Sequence, residues 1–305
     1  MKDDLLWVYE GLTSYLGTIL AARAGLWTPQ ETRDVIAFYA GDMDATQGRK
    51  WRPLADTAVA APSLYDAPLT WRHWRRGVDF YPEGVLLWLE IDGILRKESN
   101  GARSLDDFCR KFHGGENGPP AVVPYQLDDV VNTLNAIVPH DWRKLIADRL
   151  DSPQTRLPMQ SLEEAGWRLS YTDARTPFQK AREGRMKQID LLHSIGVLAH
   201  AESADILDVL PDGPAARAGI GPGMKLIAVN GRKFTPERLR EAVHLSKTTP
   251  VELLVQNGDY MKTHKLDYKG GDRFPHLDRN GAKPDLLTSI LSPSVKRAEP
   301  VKGTP

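Results

Sequence analysis

The stretch Leu6-Trp7-Val8-Tyr9-Glu10-Gly11-Leu12-Thr13-Ser14-Tyr15-Leu16-Gly17 governs the reading of this chain. Around it Leu5, Val8, Leu12, Tyr15, Leu16, Ile19 and Leu20 recur at three- and four-residue steps, the spacing of a helix with one buried face. The pattern predicts a helix over about residues 4–25, with Gly25 at its C-terminal cap, where glycine takes the left-handed conformation at no steric cost. Thr28-Pro29-Gln30-Glu31 follows with a capping hydroxyl, a proline for the first turn and an acid for the helix dipole, so a second helix is expected to run to about Tyr39.

Working outward, residues 41–77 are rich in Pro, Asp, Arg and Trp without periodicity, which predicts a long ordered excursion rather than regular elements. Residues 82–97 are apolar nearly all round, as a helix at a domain centre should be. Two further helices are expected near 104–112 and 127–137. The run Trp167-Arg168-Leu169-Ser170-Tyr171-Thr172-Asp173 alternates like a strand within a stretch punctuated by Pro, Ser and Thr, and the change of character sets a boundary there. Beyond residue 187 come short β-rich runs, with one helix near 236–246 opened by Thr235. Asn230-Gly231 and Asn257-Gly258 signal tight turns. The expected class is α+β: a mainly helical region 1–150, a connecting segment 151–186, a β-rich unit 187–270 and a tail 271–305 with a disordered end.

Composition excludes more than it assigns. Forty basic and forty acidic residues leave no net charge, so nothing favours nucleic acid or an anionic membrane as partner. Trp71-Arg72-His73-Trp74-Arg75-Arg76 mixes aromatics with cations, but one such hexamer in a neutral chain reads as a structural or substrate-lining loop. The single cysteine, Cys109, cannot form an intrachain disulfide and reads as a small buried residue. No run approaches the roughly 18–20 apolar residues of a membrane span, and the start lacks a signal-peptide core. A soluble chain is expected, with the compartment of any longer parent left open.

The opening stretch resembles the third-ligand helix of gluzincin metallopeptidases, in which the glutamate of an E-G-x-[TA]-x-[YF] segment completes a zinc site begun by H-E-x-x-H. On that resemblance Glu10 is a zinc ligand. A catalytic zinc takes three protein ligands and leaves one position for water, and a helix carboxylate serves as the third beside two imidazoles. Downstream, Asp79-Phe80-Tyr81-Pro82-Glu83-Gly84 is similar to the Y-x-x-G segment of the same clan. The resemblance makes Tyr81 the catalytic donor to the oxyanion of the tetrahedral intermediate; read from spacing alone, it is an aromatic packed at a helix entry. Together with residues 104–108 and 128–142, the likeness is to the helical C-terminal lobe of the thermolysin-like catalytic domain in the glycyl aminopeptidase family.

The departure from that family is as informative. Only nine residues precede Glu10, and the eight histidines include no pair four apart, so neither imidazole ligand nor the general base of H-E-x-x-H is present. Zinc belongs to the full-length family, and the expectation is that this chain alone does not hold it stably. Three explanations stand: a reading frame that begins too late, a missing N-terminal half supplied by another chain, or lost activity.

Residues 213–231, from Gly213-Pro214-Ala215-Ala216 to Val229-Asn230-Gly231, resemble the PDZ pattern, with Met224 in place of the usual Asp. In that fold a peptide or protein C-terminus adds as a strand, and backbone amides of a Φ-G-Φ loop receive its carboxylate. Ser194, Ile195, Gly196 and Val197 form the expected loop. A packed structural wing is the other reading of the same module. The functional expectation is a zinc-dependent aminopeptidase acting on small N-terminal residues such as glycine, here incomplete; the alternative is a non-catalytic PDZ-type peptide-binding protein.

Overall fold

The computed structural model describes residues 3–115, 118–119, 121–154 and 156–293. The disordered end expected for the tail lies outside the described residues. The architecture is mixed α and β, a helical lobe followed by a β-rich unit, as the sequence implied. The first helix opens with one π-helical turn, Trp7–Gly11, and continues as α1, Leu12–Arg23. Val8, Leu12, Tyr15 and Ile19 of the expected apolar face are buried, joined by Trp7, whereas Leu20 is exposed. Gly25, just past the end, has a φ of 73°.

Helix α2, Pro29–Ala45, begins with the expected capping box. The Glu31 N–H donates to the Thr28 hydroxyl at 3.1 Å and the Thr28 N–H to the Glu31 carboxylate at 2.7 Å. It runs past Tyr39 because its second half is packed: Ala40, Gly41, Asp42 and Met43 are all buried. The region expected to lack regular elements holds the end of α2, a 3₁₀ turn at Gln47–Lys50, and three short helices, α3 (Leu54–Val59), α4 (Ala61–Leu64) and α5 (Arg72–Arg75). Each is too short to show a helical period in sequence.

The long central helix α6, Pro82–Glu98, is buried along Val85, Leu86, Leu87, Trp88, Leu89, Ile91 and Leu95. Helices α7 (Leu105–Phe112), α8 (Leu127–Asn135), α9 (Trp142–Leu150) and α10 (Gln160–Glu164) contribute to the same buried cluster, the last two not foreseen. Cys109 of α7 is only half-buried. Strand β1, Trp167–Thr172, is followed by α11, Pro177–Met186. The β-rich unit then comprises β2 (Gln188–Leu191), β3 (Val197–His200), β4 (Ile206–Val209), α12 (Pro214–Arg217), β5 (Lys225–Val229), β6 (Arg232–Lys233), α13 (Pro236–His244), β7 (Val251–Asn257) and β8 (Tyr260–Leu266). Strand β9, Phe274–Arg279, and helix α14, Leu286–Leu291, end the described chain.

Among the described residues the strands form three antiparallel sheets, in the orders β1-β9, β2-β3-β4 and β6-β5-β7-β8. The turn at Asn230-Gly231 joins β5 to β6 with both residues at positive φ, 47° and 74°, the two-residue hairpin the sequence announced. Buried apolar side chains form two clusters: one runs through the helical lobe, the other through residues 189–274. Residues read as tail do more than trail. β9 pairs with β1 in register from Trp167 opposite Arg279 to Thr172 opposite Phe274, and Leu277, Leu287, Ile290 and Leu291 enter the helical cluster. Two brief apolar patches separated by Asn280-Gly281 are too short to show this in the sequence.

A buried ionic bridge ties the lobe to the β-rich unit. His73 of α5 lies between two carboxylates, with Nδ1 2.6 Å from Asp208 of β4 and Nε2 3.0 Å from Asp42 of α2, and all three are nearly inaccessible. Arg72 also pairs with Asp42. Burial alone would lower the imidazole pKa, but the hydrogen bonds to Asp208 and Asp42 overcome it and raise the value to about 9. His73 is therefore a cation held by two anions. Because its folded-state pKa exceeds the unfolded value of 6.5, its stabilisation is full below that value and fades as pH climbs through about 9. Thermal melts should show Tm falling from neutral pH to above pH 9, and His73→Gln should lower Tm at neutral pH and flatten that decline. An unchanged pH slope in the variant would count against the bridge as its source.

Candidate active site

The geometry begins with two glycines. Gly11, at the end of the π turn, faces Gly84 in the first turn of α6. A Cβ built on Gly84 would stand 2.7 Å from the Gly11 Cα, and one on Gly11 would stand 3.1 Å from the Gly84 Cα and 3.2 Å from the Phe80 carbonyl oxygen. Those contacts are with backbone, which has no rotamer to yield. The helices cross this closely only because both positions lack side chains.

The crossing brings together Glu10, next to Gly11, and Tyr81, three residues before Gly84. The Tyr81 hydroxyl shares a 3.0 Å hydrogen bond with the Tyr65 hydroxyl. Burial first, then the hydrogen bond to Tyr65 and the nearby Glu10 carboxylate, raise the Tyr81 pKa above that of an ordinary phenol. Glu10 and Tyr81, assigned separately in the sequence, thus face one another, with both side chains partly accessible. The pair combines a carboxylate with a phenol held in its donor form. Tyr65 is the site residue that sequence reasoning missed. It lies in the irregular region, where no motif marks it.

The turn carrying Tyr81 is fastened from both sides. Arg76 donates Nε–H to Asp79 at 2.7 Å and also pairs with Glu83, while Arg49 donates to both Glu83 oxygens at 3.3 and 2.9 Å. All four side chains are buried. Asp79 is held below the usual carboxylate range because, against burial, the guanidinium groups of Arg76 and Arg72 favour its charged form. Phe80 packs on Tyr65 and Tyr81 with ring centroids 6.5 and 4.8 Å away. The hexamer 71–76 is structural in part: His73 and Arg76 are buried in ion pairs, while Trp71 and Trp74 remain substantially exposed.

Zinc does not fit what these residues offer by themselves. Among the described residues, no three His, Cys, Asp or Glu side chains are grouped to hold a metal ion, so Glu10 has no companions there with which to bind one.

The loop expected to receive a peptide carboxylate is engaged within the chain. Ser194 and Gly196 donate their N–H groups to the Leu191 carbonyl at 3.1 and 3.0 Å, Ile195 is fully buried, and Val197 pairs with Leu191.

Residues 1–87 match the family model of the M61 glycyl aminopeptidases. That span contains both glycines, Glu10, Tyr65 and Tyr81. No curated protein matches the chain. Among solved structures, an aminopeptidase N family protein from Idiomarina loihiensis superimposes with a TM-score of 0.68 at 19% identity. The alignment covers 96% of this chain and 49% of that one, so the chain spans about half the length of its structural relative. At this identity the likeness shows a shared fold.

Gly84→Ala tests the crossing. The methyl group meets backbone at 2.7 Å, so urea unfolding should report a loss of about 1–3 kcal/mol, the usual cost of overpacking. The absorbance titration of Tyr81, isolated by difference against Tyr81→Phe, should shift toward an ordinary phenol as Glu10 moves away.

Proposed function

We propose that this chain supplies the glutamate-and-tyrosine portion of a metallo-aminopeptidase active site. The observation that carries the reading is the convergence of Glu10 and Tyr81 at the Gly11–Gly84 crossing, within the residues that match the M61 model. In this reading residues 1–150 are the helical lobe of the catalytic domain and residues 187–270 a PDZ-like module. Glu10 is one zinc ligand. The remaining ligands and the general base, on an H-E-x-x-H helix, come from polypeptide outside these 305 residues. The complete site acts on peptides with a free N-terminus and a small first residue such as glycine. Bound zinc would supply Lewis-acid activation of the scissile carbonyl.

What this chain's own groups do follows from their chemistry. Tyr81, kept protonated by burial, Tyr65 and Glu10, presents a neutral O–H. Such a donor binds the oxyanion of a tetrahedral intermediate more strongly than the ground-state carbonyl, which lowers the barrier. Tyr65 orients that hydroxyl through the 3.0 Å hydrogen bond. The buried Arg76–Asp79–Glu83–Arg49 cluster keeps the Tyr81 turn from relaxing away.

The test compares the chain alone with the chain mixed with a polypeptide carrying the H-E-x-x-H segment, measuring zinc after dialysis and hydrolysis of a glycyl chromogenic substrate. The chain alone should retain no zinc and turn over nothing, and the mixture should do both. In the active mixture Glu10→Gln should abolish zinc retention, and Tyr81→Phe should lower kcat by about 10²–10³-fold with little change in KM. Stoichiometric zinc and turnover by the chain alone, or full activity in the Glu10→Gln mixture, would overturn the proposal.

A further inference from the structure

Strand β3 has two hydrogen-bonding edges, and both are taken. β4 pairs along one of them. Along the other lies β2, antiparallel and in unbroken register: Gln188 opposite His200, Ile189 opposite Ala199, Asp190 opposite Leu198 and Leu191 opposite Val197. At the end of β2 the Leu191 carbonyl accepts two convergent amides, from Ser194 and Gly196. Two backbone N–H groups aimed at one oxygen are the arrangement that receives a peptide's terminal carboxylate.

The receiving loop is also braced by residues outside β2. Leu210 donates its N–H to the Gly196 carbonyl at 2.9 Å and Ala215 to the Ile195 carbonyl at 3.0 Å. Gly196 has a φ of 78°, and a Cβ there would sit 3.4 Å from the Gly213 Cα, so residues 210–215 hold the loop shape alongside Leu191. Side chains of β2 fill the remaining space. Ile189 and Leu191 are 1% exposed and belong to the same buried cluster as Leu239, Ala242 and Val243 of α13. The outer edge of β2 is clasped rather than bare: the Asp190 N–H donates to Glu183 of α11 at 2.7 Å, and Arg240 of α13 pairs with the same carboxylate at 2.8 Å.

We infer that the β3 edge is a peptide-strand site and that residues 188–191 are its resident ligand, an extended segment with apolar side chains at 189 and 191 whose Leu191 carbonyl stands where an incoming carboxylate would be received. The inference concerns the β-rich unit alone and does not depend on the peptidase reading. Its consequence is competitive. A segment tethered through residues 192–196 acts at an effective concentration on the order of millimolar or higher, so a free C-terminal peptide enters only when β2 leaves. The Glu183–Arg240 clasp sets how readily it leaves.

The probe is a fluorescein-labelled pentapeptide, Lys-Gln-Ile-Asp-Leu, with a free terminal carboxylate, followed by anisotropy against the whole chain and against Ile189→Ser. The wild-type chain should give no saturable binding at about 100 μM peptide, below the tethered segment's effective concentration. Ile189→Ser, checked for fold by circular dichroism, should bind at least tenfold more tightly, and amidation of the peptide should weaken that binding. Equal binding by both chains, or none by a folded variant, would overturn the inference. Should the variant fail to fold, amide hydrogen exchange on the wild type decides. Residues 188–191 should exchange faster than β5 and β7, as a displaceable segment opens before the sheet. Exchange of all three at one global rate would make β2 an integral strand and end the proposal.

Discussion

The close crossing of the first helix and α6 at Gly11 and Gly84 is the constraint from which the candidate site follows. A helix turns through about 100° per residue, so a slip of one position in either partner would carry Glu10 or Tyr81 off the shared face. The contact of bare backbone with bare backbone leaves no room for that slip. The π turn at Trp7–Gly11 belongs to the same arrangement. Trp88 of α6 donates its indole N–H to the Trp7 carbonyl at 3.0 Å, and the two indoles stack with centroids 5.6 Å apart. A side chain that captures a helix carbonyl is a known cause of a local change in helical repeat, and π turns recur at functional sites. The aromatic pair and the glycine pair lock one crossing.

Buried charge is the second constraint, and α5 is where its two networks meet. Arg76, just past the end of α5, reaches Asp79 and Glu83 on either side of Tyr81, whereas His73 within it reaches Asp42 and Asp208. Trp71 and Arg76 flank this helix at positive φ, 58° and 62°; Trp71 is left-handed α, whereas Arg76, at a ψ of 155°, lies in a region nearly confined to glycine, and each such conformation costs a side-chain-bearing residue about 1–3 kcal/mol. Removing one partner would leave a buried charge uncompensated, at a cost of about 3–5 kcal/mol, so the networks fix the loop in one shape. Through α5 the turn that presents Tyr81 is linked by a chain of ion pairs to β4, although the β-rich unit contributes neither Glu10 nor Tyr81.

Much of this was legible because the informative elements are local. The apolar face of the first helix, the capping box of α2, the all-round burial of α6 and the Asn230-Gly231 hairpin each follow from residues within a few positions of one another. The pairing of Glu10 with Tyr81 was not legible from spacing, since it depends on a crossing between distant segments; only the resemblance joined them. Tyr65, the double-anion cage of His73 and the return of Leu277, Leu287, Ile290 and Leu291 to the helical core were invisible for the same reason. The irregular region misled in a different way. Helices of four to six residues carry too little periodicity to register, and tertiary ion pairs, rather than propensity, hold α5 in place.

The two halves of the chain manage exposed backbone in opposite ways, and this bears on what each can bind. The site around Glu10 and Tyr81 keeps partly accessible polar groups turned outward, which a carboxylate and a phenol tolerate because water or a ligand can satisfy them. The β3 edge offers a row of backbone groups that would pair with any extended chain if left open. Filling it with β2 removes that hazard and satisfies the same groups internally. On the inference drawn above, the β-rich unit would bind a peptide only after giving up a strand of its own, whereas the polar groups of the helical lobe are accessible as they stand.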